Sequence, residues 1–294
     1  MQLILYRSTS NERMLGLADG NRLIGHFSQA NTTLSNLLRL SSGEFRRVVE
    51  EAGRNGGSGS DSEVEIALAP IDGETEVWAA GVTYERSEVA RREESETPDI
   101  YAKMYKAERP ELFFKANARR VVGHNGTISV RADSSWDVPE PELAVVINAH
   151  GEIVGYCVAN DVSSRSIEGE NPLYLPQAKV YAGSCALGPG VTPVWEIANP
   201  YALSIHMSIE RGGQKFWEGE TNTSELHRKL DELMTYLYRE DEFPDGAILC
   251  TGTALVPEHP FTLEAGDVVH ISIDGLGSLS NTVVRGKAGL KSGQ

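Results

Sequence analysis

The alternation of apolar and polar positions divides the chain into two unequal parts. Near the start, Leu3-Ile4-Leu5-Tyr6 and Arg22-Leu23-Ile24-Gly25-His26-Phe27 read as short strands. Between positions 33 and 52, Leu34, Leu37, Leu38 and Leu40, then Phe45, Val48 and Val49, recur at helical spacing. The run Asn55-Gly56-Gly57-Ser58-Gly59-Ser60-Asp61-Ser62 has the composition of a linker. Beyond it short β-rich segments dominate, at 63–68, 77–82, 127–130, 143–148, 153–160, 204–210, 268–273 and 279–284. Helical spacing interrupts them at 86–106 and 223–238. The run from Gly183 to Gly190 lacks dinucleotide-binding spacing, and its Pro189 suits a turn. This pattern predicts a small N-terminal α/β domain over 1–72. It predicts a β-rich α+β domain over 73–294, its sheet rolled or barrel-like.

Composition narrows the partners. Hydrophobic residues make up 40% and charged residues 23%, the mix of a soluble globular protein. Against 27 Lys and Arg stand 42 Asp and Glu, a formal net charge of -15. Such a field repels phosphate backbones and anionic lipid, which excludes nucleic acid and membrane surfaces as expected partners. The first residues carry neither a basic stretch nor a long apolar run, so no secretory signal is read and a cytoplasmic setting is expected. The three cysteines, Cys157, Cys185 and Cys250, are far apart and odd in number; buried structural thiols are expected. The histidines show no metal-ligand spacing.

The chemistry concentrates between Trp136 and Asp161. Two apolar runs flank Ala149-His150-Gly151-Glu152, which reads as a hairpin. A loop at His150-Gly151 pairs Glu142 with Ala159 and sets Glu140 opposite Asp161. Positions two apart in a strand share a face, so Glu140, Glu142 and Asp161 converge at the open end of the hairpin. Opposed like charges destabilise a sheet, and a counter-charge is required. An all-oxygen set suits a hard cation: Mg²⁺, with Mn²⁺ or Ca²⁺ as substitutes. The residues alone leave a solvated acidic hairpin end as the alternative.

At these residues the chain resembles the fumarylacetoacetate hydrolase family, over roughly 80–285. The matching pieces include Gly81-Val82-Thr83-Tyr84, Phe113-Phe114-Lys115, Glu140-Pro141-Glu142, Asn160-Asp161-Val162-Ser163-Ser164-Arg165, Lys179, Leu187-Gly188-Pro189, Gly252-Thr253 and Ala265-Gly266-Asp267. The resemblance implies a mixed β-roll catalytic domain of that family's type, bound Mg²⁺, a small 2-oxo or diketo acid substrate, and a homodimer or homotetramer. It places the metal ligands at Glu140, Glu142 and Asp161, the trio the hairpin reaches independently.

Hydrolytic members carry a histidine soon after the Gly-x-x-Tyr element. Here Tyr84-Glu85-Arg86-Ser87-Glu88 has none, and the nearest downstream histidine is His124. The wording around Glu111, around 168–179 and at Thr251-Gly252-Thr253 is similar to a sugar-acid dehydratase subgroup. That implies a lyase acting on a 2-keto-3-deoxy acid, 2-keto-3-deoxy-D-arabinonate giving 2,5-dioxopentanoate. Lys179 is the first candidate for the base near C3 and Glu111 the second, as partner acid or base that assists loss of the C4 hydroxyl; which of the two is the base stays open. Thr253, Arg86 and Ser87 are candidate substrate contacts, and Arg165 an ion-pair partner of the carboxylates. An acylpyruvate-type hydrolase or oxaloacetate decarboxylase on the same site is the enzymatic rival. A metal-stabilised binding module for small acids is the non-enzymatic one.

Overall fold

The apolar runs on either side of His150-Gly151 become the two central strands of a large mixed sheet, as their lack of any solvent face requires. The computed structural model describes residues 1–8, 10–20, 22–27, 32–54, 67–85 and 105–290. In chain order its strands are β1 (Gln2–Arg7), β2 (Arg13–Asp19), β3 (Arg22–His26), β4 (Ala67–Leu68), β5 (Glu76–Gly81), β6 (Glu111–Asn117), β7 (Val121–Val122), β8 (Thr127–Val130) and β9 (Asp137–Val138). There follow β10 (Pro141–Ile147), β11 (Ile153–Asp161), β12 (Ser163–Ser164), β13 (Cys185–Pro193), β14 (Ser204–Arg211), β15 (Gln214–Asn222), β16 (Ala247–Cys250), β17 (Val268–Ile273) and β18 (Gly277–Arg285). The described α-helices are α1 (Leu34–Leu38), α2 (Ser42–Arg54), α3 (Arg165–Glu170), α4 (Leu175–Lys179) and α5 (Leu230–Leu237).

The large sheet has the order β3-β2-β1-β13-β11-β10-β16-β5-β6, with β4 on β1 and β7 on β13. A second, five-stranded sheet runs β15-β14-β17-β18-β8, and β9 pairs with β12 alone. Strand alternation sorts the core into two. Leu143, Val145 and Ile147 point from β10 toward β14, β17 and α5, where Ile205, Met207, Ile209, Val269, Ile271 and Leu233 pack. Ala144 and Val146 point the other way, into a core with Cys157, Ala159, Leu38, Phe45 and Val49. The N-terminal helices thus cover one face of the large sheet and the second sheet covers the other. This is the β-rich α+β roll expected from the strand pattern.

Several elements differ from the sequence expectation. The single helix over 33–52 is two. Ser41 and Glu44 exchange side-chain-to-backbone bonds at the start of α2, which fixes a new helix start there. The helix over 223–238 begins only at Leu230. The Gly183–Gly190 run is not a turn: Cys185–Pro193 is a central strand between β11 and β1. Its pairing lapses between Val158↔Gly188 and Tyr156↔Thr192, and Pro189, which has no N–H to donate, sits in that lapse. The helix expected over 86–106 and most of the strand over 63–68 lie outside the described residues. All three cysteines are free and buried, as expected. Among the described residues no helix is long and apolar enough to cross a membrane.

Candidate active site

The hairpin has the register its sequence predicts. Pro141 pairs with Asn160, Glu142 with Ala159, and so on to Val146 with Gly155. Beyond Glu142 the Asp161 N–H donates to the Glu140 carbonyl at 3.0 Å, which sets these two residues opposite one another. At the turn, Asn148 Oδ1 accepts the His150 and Glu152 N–H groups, and Gly151 takes a φ of 69°, which its missing Cβ permits. Glu142 shares its face with Ala144 and Val146, and Asp161 with Ala159 and Cys157. The carboxylates therefore end the α1/α2-side core. Glu140, Glu142 and Asp161 each offer an oxygen within 4.8 Å of the others, and all three are buried.

Their surroundings are unequal. Glu140 binds Arg165 Nη2 at 3.0 Å and Lys179 Nζ at 2.8 Å. Asp161 binds Lys179 Nζ at 3.0 Å and forms an ion pair with Lys115. Glu142 makes no ion pair among the described residues; its Oε2 accepts the Gly252 N–H at 2.6 Å. Burial, then the charges of Asp161 and Glu140, push its carboxyl well above the usual range. A buried carboxylate beside two others, with only a peptide N–H in contact, is what a divalent cation would relieve. The donor set therefore fits Mg²⁺, with Glu140, Glu142 and Asp161 as the residues that would hold it.

Lys179 closes the short helix α4, which is only 2% exposed at this residue. Its Nζ also reaches Ser163 Oγ, and lies 5.8 Å from the Phe113 ring centre. Phe113 and Glu111 are two apart on β6 and share a face, so Glu111 and Lys179 lie on the same side of that strand. Glu111 pairs with Gly81 on β5, and a Cβ built on Gly81 would stand 2.1 Å from Glu111 Oε2; only glycine leaves room for this carboxylate. Val82 then takes a φ of 52°, a strained value for a β-branched residue. This brings the Thr83 hydroxyl onto the Thr251 carbonyl at 2.6 Å. Gly252, with φ 92°, fits beneath Thr83 Oγ1, where a Cβ would come within 1.9 Å. Thr253 is buried and its hydroxyl bonds the Leu255 N–H and carbonyl.

The structure thus gathers Glu140, Glu142, Asp161, Lys179 and Arg165 into one cluster. Glu111 lies against Gly81, and Thr253 follows Gly252, whose N–H binds Glu142. Arg86 and Ser87 lie outside the described residues. His124 is elsewhere, its Nδ1 accepting the Ser280 N–H.

Sequence reasoning gave no role to Lys115. Pairing on β6 skips it, Trp78 opposing Phe114 and Val77 opposing Ala116. This bulge re-aims its side chain inward. Its Nζ binds Asp161 and donates to the Val162 and Lys179 carbonyls, at 3.1 and 2.6 Å. It ties a candidate ligand to the backbone of the candidate base. The sequence signal available was a lysine within the apolar run from Leu112 to Ala116.

A buried carboxylate trio able to hold a metal ion, beside a buried lysine on a β-roll, fits a class of metal-assisted enzyme. Comparison with known proteins agrees. The family profile described as Fumarylacetoacetate (FAA) hydrolase C-terminal matches residues 76–284. A probable 2-keto-3-deoxyxylonate dehydratase of Haloferax volcanii is 56% identical over 217 residues, 74% of each chain. A 2-dehydro-3-deoxy-D-arabinonate dehydratase of Saccharolobus solfataricus is 49% identical over 218 residues, 73% of each chain. A solved 2-keto-3-deoxy-D-arabinonate dehydratase, complexed with magnesium and 2,5-dioxopentanoate, superposes with a TM-score of 0.79 at 36% identity. That superposition covers 97% of this chain and 99% of the other. This chain belongs to the fumarylacetoacetate hydrolase family.

Proposed function

We propose that this protein is a Mg²⁺-dependent dehydratase that converts a 2-keto-3-deoxy pentonate to 2,5-dioxopentanoate and water. The observation that carries the reading is the buried trio Glu140, Glu142 and Asp161, with Glu142 making no ion pair among the described residues, beside the buried Lys179. The dehydratase relatives supply the substrate class. Bound at the trio, Mg²⁺ would supply a Lewis acid for the charge that develops on a chelating 2-oxo acid.

The chain's own groups do the proton work. Lys179 Nζ takes a proton from C3, steadied by Ser163 Oγ and by the Lys115 bond to its own carbonyl. Glu111 gives a proton to the departing C4 hydroxyl, which leaves as water. A proton then moves from C5 to C3, and the enol across C4 and C5 tautomerises to the aldehyde. Thr253 and the adjoining turn hold the substrate carboxylate, with Arg86 and Ser87 on the sugar hydroxyls. Burial of Lys179 and the carboxylates keeps bulk water from the reacting carbons.

We read the chain as a cytoplasmic homodimer or homotetramer, with a small N-terminal unit over 1–72 and a catalytic domain over 73–294. The test of function is incubation with 2-keto-3-deoxy-pentonate, with Mg²⁺ and with EDTA, assaying 2,5-dioxopentanoate and pyruvate. Mg²⁺-dependent dioxopentanoate without pyruvate is the expected result. Pyruvate would mean C–C cleavage and would overturn the dehydratase assignment.

A further inference from the structure

Away from the carboxylates, a cavity of about 1060 Å³ opens between the N-terminal strands and the roll. Its walls have a composition at odds with the chain. Arg7, Arg13, Arg119, Arg120 and His124 line it, and among the described residues no aspartate or glutamate does, in a protein with 42 acidic residues and a net charge of -15. Random sampling of this chain would put several acids in a wall of that size.

The arginines keep their charge available. Among the described residues Arg7 Nη1 donates only to the backbone and side-chain oxygens of Asn11, and Arg13 Nη2 to the Ile71 carbonyl; these acceptors are neutral. Arg119 and Arg120 stand exposed on a single 3₁₀ turn, Ala118–Arg120, and make no ion pair among the described residues. Adjacent guanidinium groups repel, and four line one cavity with no carboxylate among its described lining residues. Guanidinium forks match carboxylate and phosphate oxygens two at a time. Cavities at the junction of two parts of a chain are common places for small ligands, and this volume suits a metabolite.

We propose that this cleft is a second ligand site, selective for a small multivalent anion, a phosphorylated or polycarboxylate metabolite. It stands apart from the carboxylate cluster but is joined to it. Ala182 and Gly183 line the cleft on the loop that leaves Lys179. Val121 and Val122 form part of its wall and pair with Cys185 and Ala186, which pair on their other side with Asp161 and Asn160. The inference rests on the cleft alone and holds whatever the catalytic substrate proves to be.

Titration calorimetry of the Mg²⁺-loaded protein with inorganic phosphate, and separately with tricarballylate, tests it. At least one probe should bind. Binding of phosphate alone assigns a phosphorylated ligand, and of tricarballylate alone a polycarboxylate. The Arg119→Gln/Arg120→Gln protein should bind at least tenfold more weakly, with turnover in the absence of anion and sedimentation unchanged. Lys179→Ala should bind as wild type, which separates the cleft from the carboxylate cluster. No binding to the wild type, equal binding by the double variant, or loss of binding in Lys179→Ala would each overturn the proposal. So would dissociation of an oligomer by the double variant, which would make the cleft a subunit contact.

Discussion

Two sets of buried carboxylates in this molecule are used in opposite ways. Asp72 and Asp245, beneath the N-terminal helices, are surrounded by donors. Asp72 accepts the Leu34 and Ser35 N–H groups at the start of α1, at 3.0 and 2.8 Å. Asp245 accepts Arg39 Nε at 2.8 Å and the Glu74 N–H at 3.0 Å. Burial pushes the Asp245 carboxyl up, but the Glu74 N–H and Arg39 outweigh it and hold it below its ordinary value. At the other end of β16 the balance reverses. Glu142 is 1% exposed, faces two further carboxylates, and its carboxyl is raised. The lesson is that a buried acid saturated with donors serves the fold, whereas one crowded by other acids is strained until something else arrives. A carboxylate under the surface means different things in the two places.

The largest effect is expected at the candidate base. Lys179→Ala should lower kcat by about a hundredfold to ten-thousandfold, the usual contribution of a positioned proton acceptor. Mg²⁺ binding should survive, since two of the three carboxylates lose only a competing amine. Retention of activity within a few-fold would remove Lys179 from the chemistry. Next comes Glu142→Gln. Thermal melts with and without Mg²⁺ should show the metal-dependent rise in Tm disappear. The metal-free variant should melt no lower than wild type, because the substitution removes a repelled buried charge. A drop like that of a structural acid would erase the contrast drawn above. Lys115→Met should cost the metal-free protein about 3–5 kcal/mol in urea unfolding, the penalty of stranding one member of a buried ion pair. Mg²⁺ should recover part of it, and a change under 1 kcal/mol by the same measure would show that the pair is dispensable.

The hairpin and its trio were legible in the sequence because local rules determine them. Two apolar runs, a turn carrying Asn148 and Gly151, and strand alternation leave one register that buries both runs. Resemblance then located Lys179. What stayed hidden depends on distant pairing. The Gly/Pro-rich stretch that becomes β13 has a turn's composition, and only its neighbours β1 and β11 make it a strand. Lys115 reads as an ordinary strand residue until the bulge against Val77 and Trp78 turns it toward Asp161. Thr83 and Gly252 meet across 168 residues of chain between Thr83 and the carbonyl it bonds. The α1–α2 break was readable: Ser41-Ser42-Gly43-Glu44 is the spacing of a capping box.

The smallest effect concerns the saturated set, and its sign can be worked out. Asp245→Asn replaces a carboxylate that accepts from two donors with an amide. One end of the amide still accepts, but its NH₂ must face either Arg39 or the Glu74 N–H. The expected loss is about 1–2 kcal/mol near neutral pH. Because the folded pKa lies below the unfolded value, the wild-type carboxylate stabilises the fold above the unfolded pKa, about 4. That contribution is lost as pH falls through the folded value. Below it both proteins carry a neutral side chain, so their urea midpoints should converge in acid. Turnover should not change, since Asp245 precedes β16 while Gly252 follows its far end. Midpoints that stay equally far apart in acid would mean that packing, not charge, accounts for the loss. Asp245 would then no longer stand as the counterpart of Glu142.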